Sequence, residues 1–171
     1  MFGTTSGNGR YRKLVRAATS DNEVLADAAA SQLFALLKGG EITKESACFL
    51  ITASKPFGIA VANDNELRRG EIDGEGNTFA HMAGAVSKLA ARILLKADDS
   101  IMYAKNRSGV SVAHVIAVHP TIAEELLHNP SYRCFLNIVD NKGVSVEDEA
   151  SHTIGIARAY GKRLRRQEKD V

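Results

Sequence analysis

The sequence predicts an all-α chain built as a solenoid of stacked helix-turn-helix units. Three observations predict it. A short motif recurs three times in the second half at near-constant spacing. Apolar residues elsewhere fall three and four positions apart, the period of a helix face. Aromatics make up only 6% of the chain and Trp is absent, whereas Ala is abundant, so helices can approach closely. The 171 residues, 44% hydrophobic and 25% charged, suit one folded domain with an ordinary core. The 22 basic and 20 acidic residues leave a net charge of +2, too little for binding nucleic acid by bulk charge.

The elements follow in chain order. Residues 1–9 are rich in Gly, Thr, Ser and Asn and are expected to be flexible. Leu14, Val15 and Ala18 give 10–20 a helical spacing, with Arg10, Arg12, Lys13 and Arg16 around them. Asp21 reads as the N-cap of a helix over 22–38, with Glu23 in its first turn. Leu25, Ala28, Ala29, Leu33, Leu36 and Leu37 form its apolar stripe, and Gly39-Gly40 stops it. Thr43 is the next cap, and the apolar stretch Ala47 to Ala53 is expected to end at Pro56. The segment 57–72 reads both ways. Phe57 to Ala62 is apolar, but Asn63-Asp64-Asn65 and Arg69-Gly70 signal loop.

From residue 73 the chain repeats. Gly76 to Ala83, Gly109 to Ile116 and Gly143 to Ala150 are three copies, and their first glycines follow one another at an almost constant step. Asp73, Asn106 and Asp140 each stand three positions before that Gly. Such a carboxylate or amide can bond its own backbone two positions on, and the Gly suits a turn needing positive φ. Thr78, Ser111 and Ser145 then serve as N-caps. A second apolar segment follows each copy: Leu89 to Leu95, Ile122 to Leu127, and Ile154 to Leu164. Each helix pair cannot bury its apolar face alone, so neighbours must stack.

These residues resemble the ankyrin repeat family, whose repeat reads approximately D-x-x-G-x-T-P-L-H-x-A-A before a second helix. Asp73, Gly76, Thr78, His81 and Ala83 match it, as do Asn106, Gly109, Ser111, His114 and Ala117, and Asp140, Gly143, Ser145 and Ala150. Phe79, Val112 and Val146 replace the family Pro, Ala80 and Ala113 replace Leu, and Asp148 replaces the third His. The likeness covers roughly 70–165. It implies one continuous domain over 10–167, with repeats at 73–105, 106–139 and 140–171, the last ending in a basic tail. Residues 10–72 then form a helical cap or a degenerate repeat, in which Ala47-Cys48 stands one repeat length before Ala80-His81.

The resemblance implies a non-catalytic module that binds a protein partner on its concave face and turn tips. The tips are Gly74, Glu75 and Asn77, then Arg107, Ser108 and Val110, then Asn141, Lys142 and Val144. Ala85, Val86, Val118 and His119 are the first-helix candidates. The partner-binding set expected is Glu75, Asn77, Arg107, Ser108, His119, Asn141 and Lys142, with Arg107 and His119 foremost. Each repeat histidine should bond its cap hydroxyl and a neighbouring backbone carbonyl.

Catalytic chemistry finds little footing. His119, His128 and His152 are scattered and no H-E-x-x-H occurs, so no metal site is expected. Cys48 lies in an apolar stretch, and Cys134 has no histidine placed to activate it. Glu147-Asp148-Glu149 suits a helix start. No enzyme activity and no cofactor are expected. Two cysteines make no disulfide framework, and neither a secretory leader nor an apolar run of membrane-spanning length is read, so a cytoplasmic setting without membrane contact is expected. The alternative partner is nucleic acid, held by Arg10, Arg12, Lys13 and Arg16 together with Lys162, Arg163, Arg165 and Arg166. It requires the two chain ends to lie side by side.

Overall fold

The computed structural model describes residues 5–167, and these contain ten α-helices and no strand. They are α1 Thr5–Ala18, α2 Glu23–Lys38, α3 Lys44–Ala53, α4 Lys55–Asn63, α5 Phe79–Val86, α6 Lys88–Leu95, α7 Val112–Ile116, α8 Pro120–His128, α9 Arg133–Leu136 and α10 Val146–Gln167. Short 3-10 turns at Leu67–Arg69, Asp99–Tyr103 and Pro130–Tyr132 join some of them.

Helix α1 starts at Thr5, so part of the segment expected to be flexible is helical; residues 1–4 lie outside the described residues. It closes at Ala18, slightly before the expected end, where the Ser20 hydroxyl donates to the Ala17 carbonyl at 2.8 Å. The cap of α2 is Asn22 rather than Asp21: its side-chain oxygen accepts the Leu25 N–H at 3.1 Å. Asp21 stands one position outside the reach of that orphan amide. The buried face of α2 is Ala26, Ala29, Ala30, Leu33 and Leu37, while Leu25 and Ala28 of the expected stripe are exposed. Gly40, at φ +74°, ends it: Gly40 N–H donates to Leu37 and Glu41 N–H to Leu36, which satisfies two of the last carbonyls.

Thr43 caps α3 as expected, accepting the Ser46 N–H at 3.3 Å. Ser54 then closes α3 and opens α4, its hydroxyl accepting the Phe57 N–H at 3.4 Å. Pro56 falls in the first turn of α4, where a missing N–H costs nothing, so it begins a helix where only an ending was expected. The ambiguous stretch Phe57 to Ala62 is therefore helical. Ser87 does the same between α5 and α6, accepting the Ala90 N–H at 3.3 Å. Ser54 and Ser87 stand one repeat length apart, so α3–α4 and α5–α6 are one design. They differ in length at the start: α3 has 10 residues and α5 has 8.

The helices pack in chain order. α1 lies on α2, α2 on α4 and α4 on α6, while α3 lies on α5 and α5 on α7. The buried residues are small where helices approach: Ala47, Ala80, Ala83, Ala90, Ala91, Ala113 and Ala123. At Gly84 a Cβ would stand 2.9 Å from Ile116 Cγ2, so only Gly admits α7 this close to α5. The large buried side chains Phe57, Leu50, Leu94, Ile101, Ile122 and Phe135 fill the remaining core.

The third copy departs from the expected helix pair. α10 is a single helix of 22 residues that packs on α8 and α7. The other copies break at Ser87, or at His119-Pro120, but Thr153-Ile154-Gly155 contains no residue that must stop a helix. Val146, Ala150, Thr153 and Ile154 form its buried stripe, and Ile156 and Tyr160 beyond it are exposed. The side chains of Lys162, Arg163, Arg165 and Arg166 lie outside the described residues.

Candidate functional site

The three glycine turns form an edge of the molecule. In the first, Asp73 Oδ1 accepts the N–H groups of Glu75 and Asn77, both at 3.0 Å. In the second, Asn106 Oδ1 takes those of Ser108 and Val110, and in the third Asp140 Oδ1 takes those of Lys142 and Val144. Gly76, Gly109 and Gly143 have φ of +76°, +75° and +81°, as the spacing requires. Each turn is pinched by one bridge: Glu71 with Thr78, Lys105 with Ser111, and Val139 with Ser145.

Each turn is also bonded to the next. Arg107 N–H donates to the Glu75 carbonyl at 2.9 Å, and Asn141 N–H to the Ser108 carbonyl at 3.1 Å. Asn106 Nδ2 donates to Asn77 Oδ1, and Asn141 Nδ2 to the Arg107 carbonyl, each at 2.9 Å. Lys105 Nζ reaches the Val139 carbonyl at 2.7 Å. The tips thus form one hydrogen-bonded ladder.

The histidines brace it from inside. His81 Nδ1 accepts the Thr78 N–H at 3.1 Å, so Nε2 carries the proton and donates to the Val110 carbonyl of the next turn at 3.1 Å. His114 repeats this with Ser111 at 3.2 Å and with Val144 at 3.0 Å. Burial holds the His81 pKa below its ordinary value, against the pull of the Val110 carbonyl and Asp73. In the third turn Asp148 takes the same local role, accepting from the Ser145 hydroxyl at 2.6 Å and its N–H at 3.0 Å. No further turn follows among the described residues, so an acceptor without a second donor suffices there.

The expected contact residues divide in two. Glu75, Arg107, Ser108, Asn141 and Lys142 are exposed at the tips. The charged heads of Glu75, Arg107 and Lys142 make no hydrogen bond or ion pair among the described residues. Asn77 and His119 are half-buried and engaged. Asn77 bonds Asp73 and Asn106. His119 Nε2 donates at 2.7 Å to the carbonyl of Gly84, an orphan of the α5 C-terminus, which makes it an interhelix link first. Val86 and Ala85 are exposed at the far end of α5, away from the turns.

Sequence reasoning missed the opposite end of the helix pairs. A cavity of about 330 Å³ lies there between the α3–α4 and α5–α6 junctions, lined by Ile51, Thr52, Lys55, Val86, Ser87, Lys88, Leu89 and Arg92. Its signal was present: the Ser-Lys pair of Ser54-Lys55 recurs one repeat length later as Ser87-Lys88.

Cys48 is half-buried, and burial and the nearby Asp73 push its thiol pKa up, away from a nucleophile. Exposed Cys134 lies against the Ser131 carbonyl at 3.9 Å. Among the described residues no three His, Cys, Asp or Glu side chains gather as metal ligands, and no helix is long and apolar enough to cross a membrane. The basic helix α1 packs on α2, while α10 packs on α7, α8 and α9. No known protein-family model matches this sequence, and no curated protein is detectably similar to it.

Proposed function

We propose that the chain is a degenerate ankyrin-like solenoid and a non-catalytic module that binds a protein partner in the cytoplasm across its turn tips. One observation carries this reading. The turn-to-turn ladder holds three tips in fixed register and leaves the charged heads of Glu75, Arg107 and Lys142 exposed and outside its hydrogen bonds. A rigid edge lowers the ordering cost of binding, and Arg is favoured at interface hot spots. The nucleic-acid alternative draws less support, because α1 and α10 pack on different neighbours.

The test is a pull-down with the wild-type chain and the Arg107→Ala/Lys142→Ala double variant, read by mass spectrometry with nuclease-treated controls. A protein retained by the wild type and lost with the variant is the expected result. Nucleic acid in the eluate, or partners that vanish with nuclease and ignore the tip changes, would overturn it.

A further inference from the structure

The helix-turn end of the molecule carries a second surface, built from two adjoining cavities. The first, of about 330 Å³, has three cations on its wall, Lys55, Lys88 and Arg92, and no carboxylate among its lining residues. The second, of about 460 Å³, is lined by Asp21, Glu23 and Asp27 of the α1–α2 junction, with Pro56 and Ile59 of α4. Lys55 and Leu89 line both, so the two form one trough with a basic end, an acidic end and an aliphatic middle.

The basic end contradicts local helix chemistry. Lys55 and Lys88 are the first residues of α4 and α6, and neither helix has an acidic residue in its first turn. A helix N-terminus favours anions, so two lysines placed there repel the dipole they adjoin. Departures from a local rule that repeat at equivalent positions gather at functional sites. Arg92 adds a third observation. Its Nε is buried without a hydrogen-bond partner, and its Nη2 reaches Glu125 of α8 only at 3.5 Å. The aliphatic floor is open to solvent as well: Val86 is 45% exposed and Leu89 46%.

We propose that this trough docks an extended peptide segment of a partner protein, acidic at one end, basic at the other and aliphatic between. Charge complementarity selects that occupant. A nucleic acid or polyphosphate would set phosphates against Asp21, Glu23 and Asp27. A free anion would fill only the basic cavity and leave Val86 and Leu89 wet. The site is separate from the turn tips, so it stands or falls apart from Arg107 and Lys142.

The experiment selects a random peptide library, displayed on phage, against the full chain. The best peptide is then titrated by fluorescence anisotropy. Enriched peptides that segregate acidic from basic residues around Leu, Ile or Val are expected. Lys88→Glu and Asp27→Lys should each weaken the selected peptide by about tenfold, while Arg107→Ala leaves it unchanged. Lys88→Glu places an acid at a helix N-terminus and keeps α6 folded, which circular dichroism verifies. The proposal is overturned by no enrichment, by peptides of one charge sign, by competition from inorganic phosphate alone, or by binding that follows Arg107→Ala. A concentration-dependent mass in the absence of peptide, abolished by Lys88→Glu, would replace the peptide with a second copy of the chain.

Discussion

The two halves of this chain join their helix pairs by different means. From residue 73 onward, successive turns are tied by directional bonds: His81 to Val110, His114 to Val144, Arg107 to Glu75 and Asn141 to Ser108. Before residue 73 the pairs α1–α2 and α3–α4 meet through Ala26, Ala29, Leu33, Phe57, Val61 and Ala62, with the ion pair of Lys38 and Asp64 at 2.8 Å. Directional bonds fix register, because a donor one position out of place is left unsatisfied. Apolar packing fixes proximity and tolerates shifts, as the greater length of α3 over α5 shows.

The strongest way to break the second half is at its tightest turn. A Cβ on Gly109 would run into Asn141 Oδ1 and stand 2.7 Å from the Asn141 backbone nitrogen. A Cβ on Gly143 would meet nothing within 4 Å, though both residues have positive φ. Gly143→Ala should therefore cost only the backbone strain, roughly 1–2 kcal/mol. Gly109→Ala adds displacement of the next turn and should cost about 3 kcal/mol or more. Urea unfolding of both variants checks this, and equal losses would mean that the ladder gives way freely.

Truncating a bracing histidine ranks next. His114→Ala leaves the buried Ser111 N–H without a partner and the Val144 carbonyl with only the Asp140 N–H, for an expected loss of about 2–3 kcal/mol. Cys48 occupies the equivalent place in α3 but makes no such bond. Cys48→Ala should cost about 1 kcal/mol or less. A similar melting temperature drop in both would erase the distinction between the halves.

That distinction also explains what could be read in advance. The turns at Asp73, Asn106 and Asp140 use residue types with few other reasons to recur together, so spacing revealed their glycine φ and caps, while the histidine bonds were implied by the family resemblance. The helices α2 and α3 were visible from periodicity. The single helix α10 was not, because Gly155 permits a break without requiring one and packing on α8 decided the outcome. Asp21 and Asn22 are equally good caps by type, and only the path of the chain separated them. Among the contact residues, exposure at Glu75, Arg107 and Lys142 followed from turn position. The bond from His119 to Gly84 joins positions far apart in the chain, and no local pattern encodes it. The helix-turn trough left only the recurring Ser-Lys pair as a signal, since Lys55 and Leu89 share a wall only after α4 packs on α6.

Acid should weaken the second half first. Burial keeps His81 neutral in the fold, with its pKa below the ordinary 6.5, while the unfolded chain takes up a proton near that value. The unfolded state then binds more protons, so stability is fully present above pH 6.5 and declines as pH falls toward the folded pKa. A separate loss starts below the usual carboxylate value of 3.8. The Val144 and Lys142 N–H groups hold Asp140 low, and at Asp73 the bonds from Asn77 and Glu75 outweigh the opposing effect of burial. Urea midpoints at about pH 8 and about pH 5 should differ less for His81→Ala than for the wild type. An unchanged difference would place the titrating group elsewhere.

The smallest effect belongs to the first half, at its one buried guanidinium among the described residues. Arg68 is 5% exposed, its Nη1 lies 3.5 Å from the Ala62 carbonyl at the end of α4, and its Nε has no partner. The carbonyl end of a helix is a weak counter-charge, and burial of the ion opposes it. Arg68→Met replaces the aliphatic stem of the side chain and removes the charged head. Its expected change is within about 1 kcal/mol of zero, with a gain in stability as the favoured sign. The same replacement at His114 removes the acceptor of the buried Ser111 N–H and one of two donors to the Val144 carbonyl, so His114→Met should lose about 2 kcal/mol. If Arg68→Met lost as much as His114→Met in parallel denaturation curves, the first half would also depend on directional bonding, and the contrast between the halves would be one of degree.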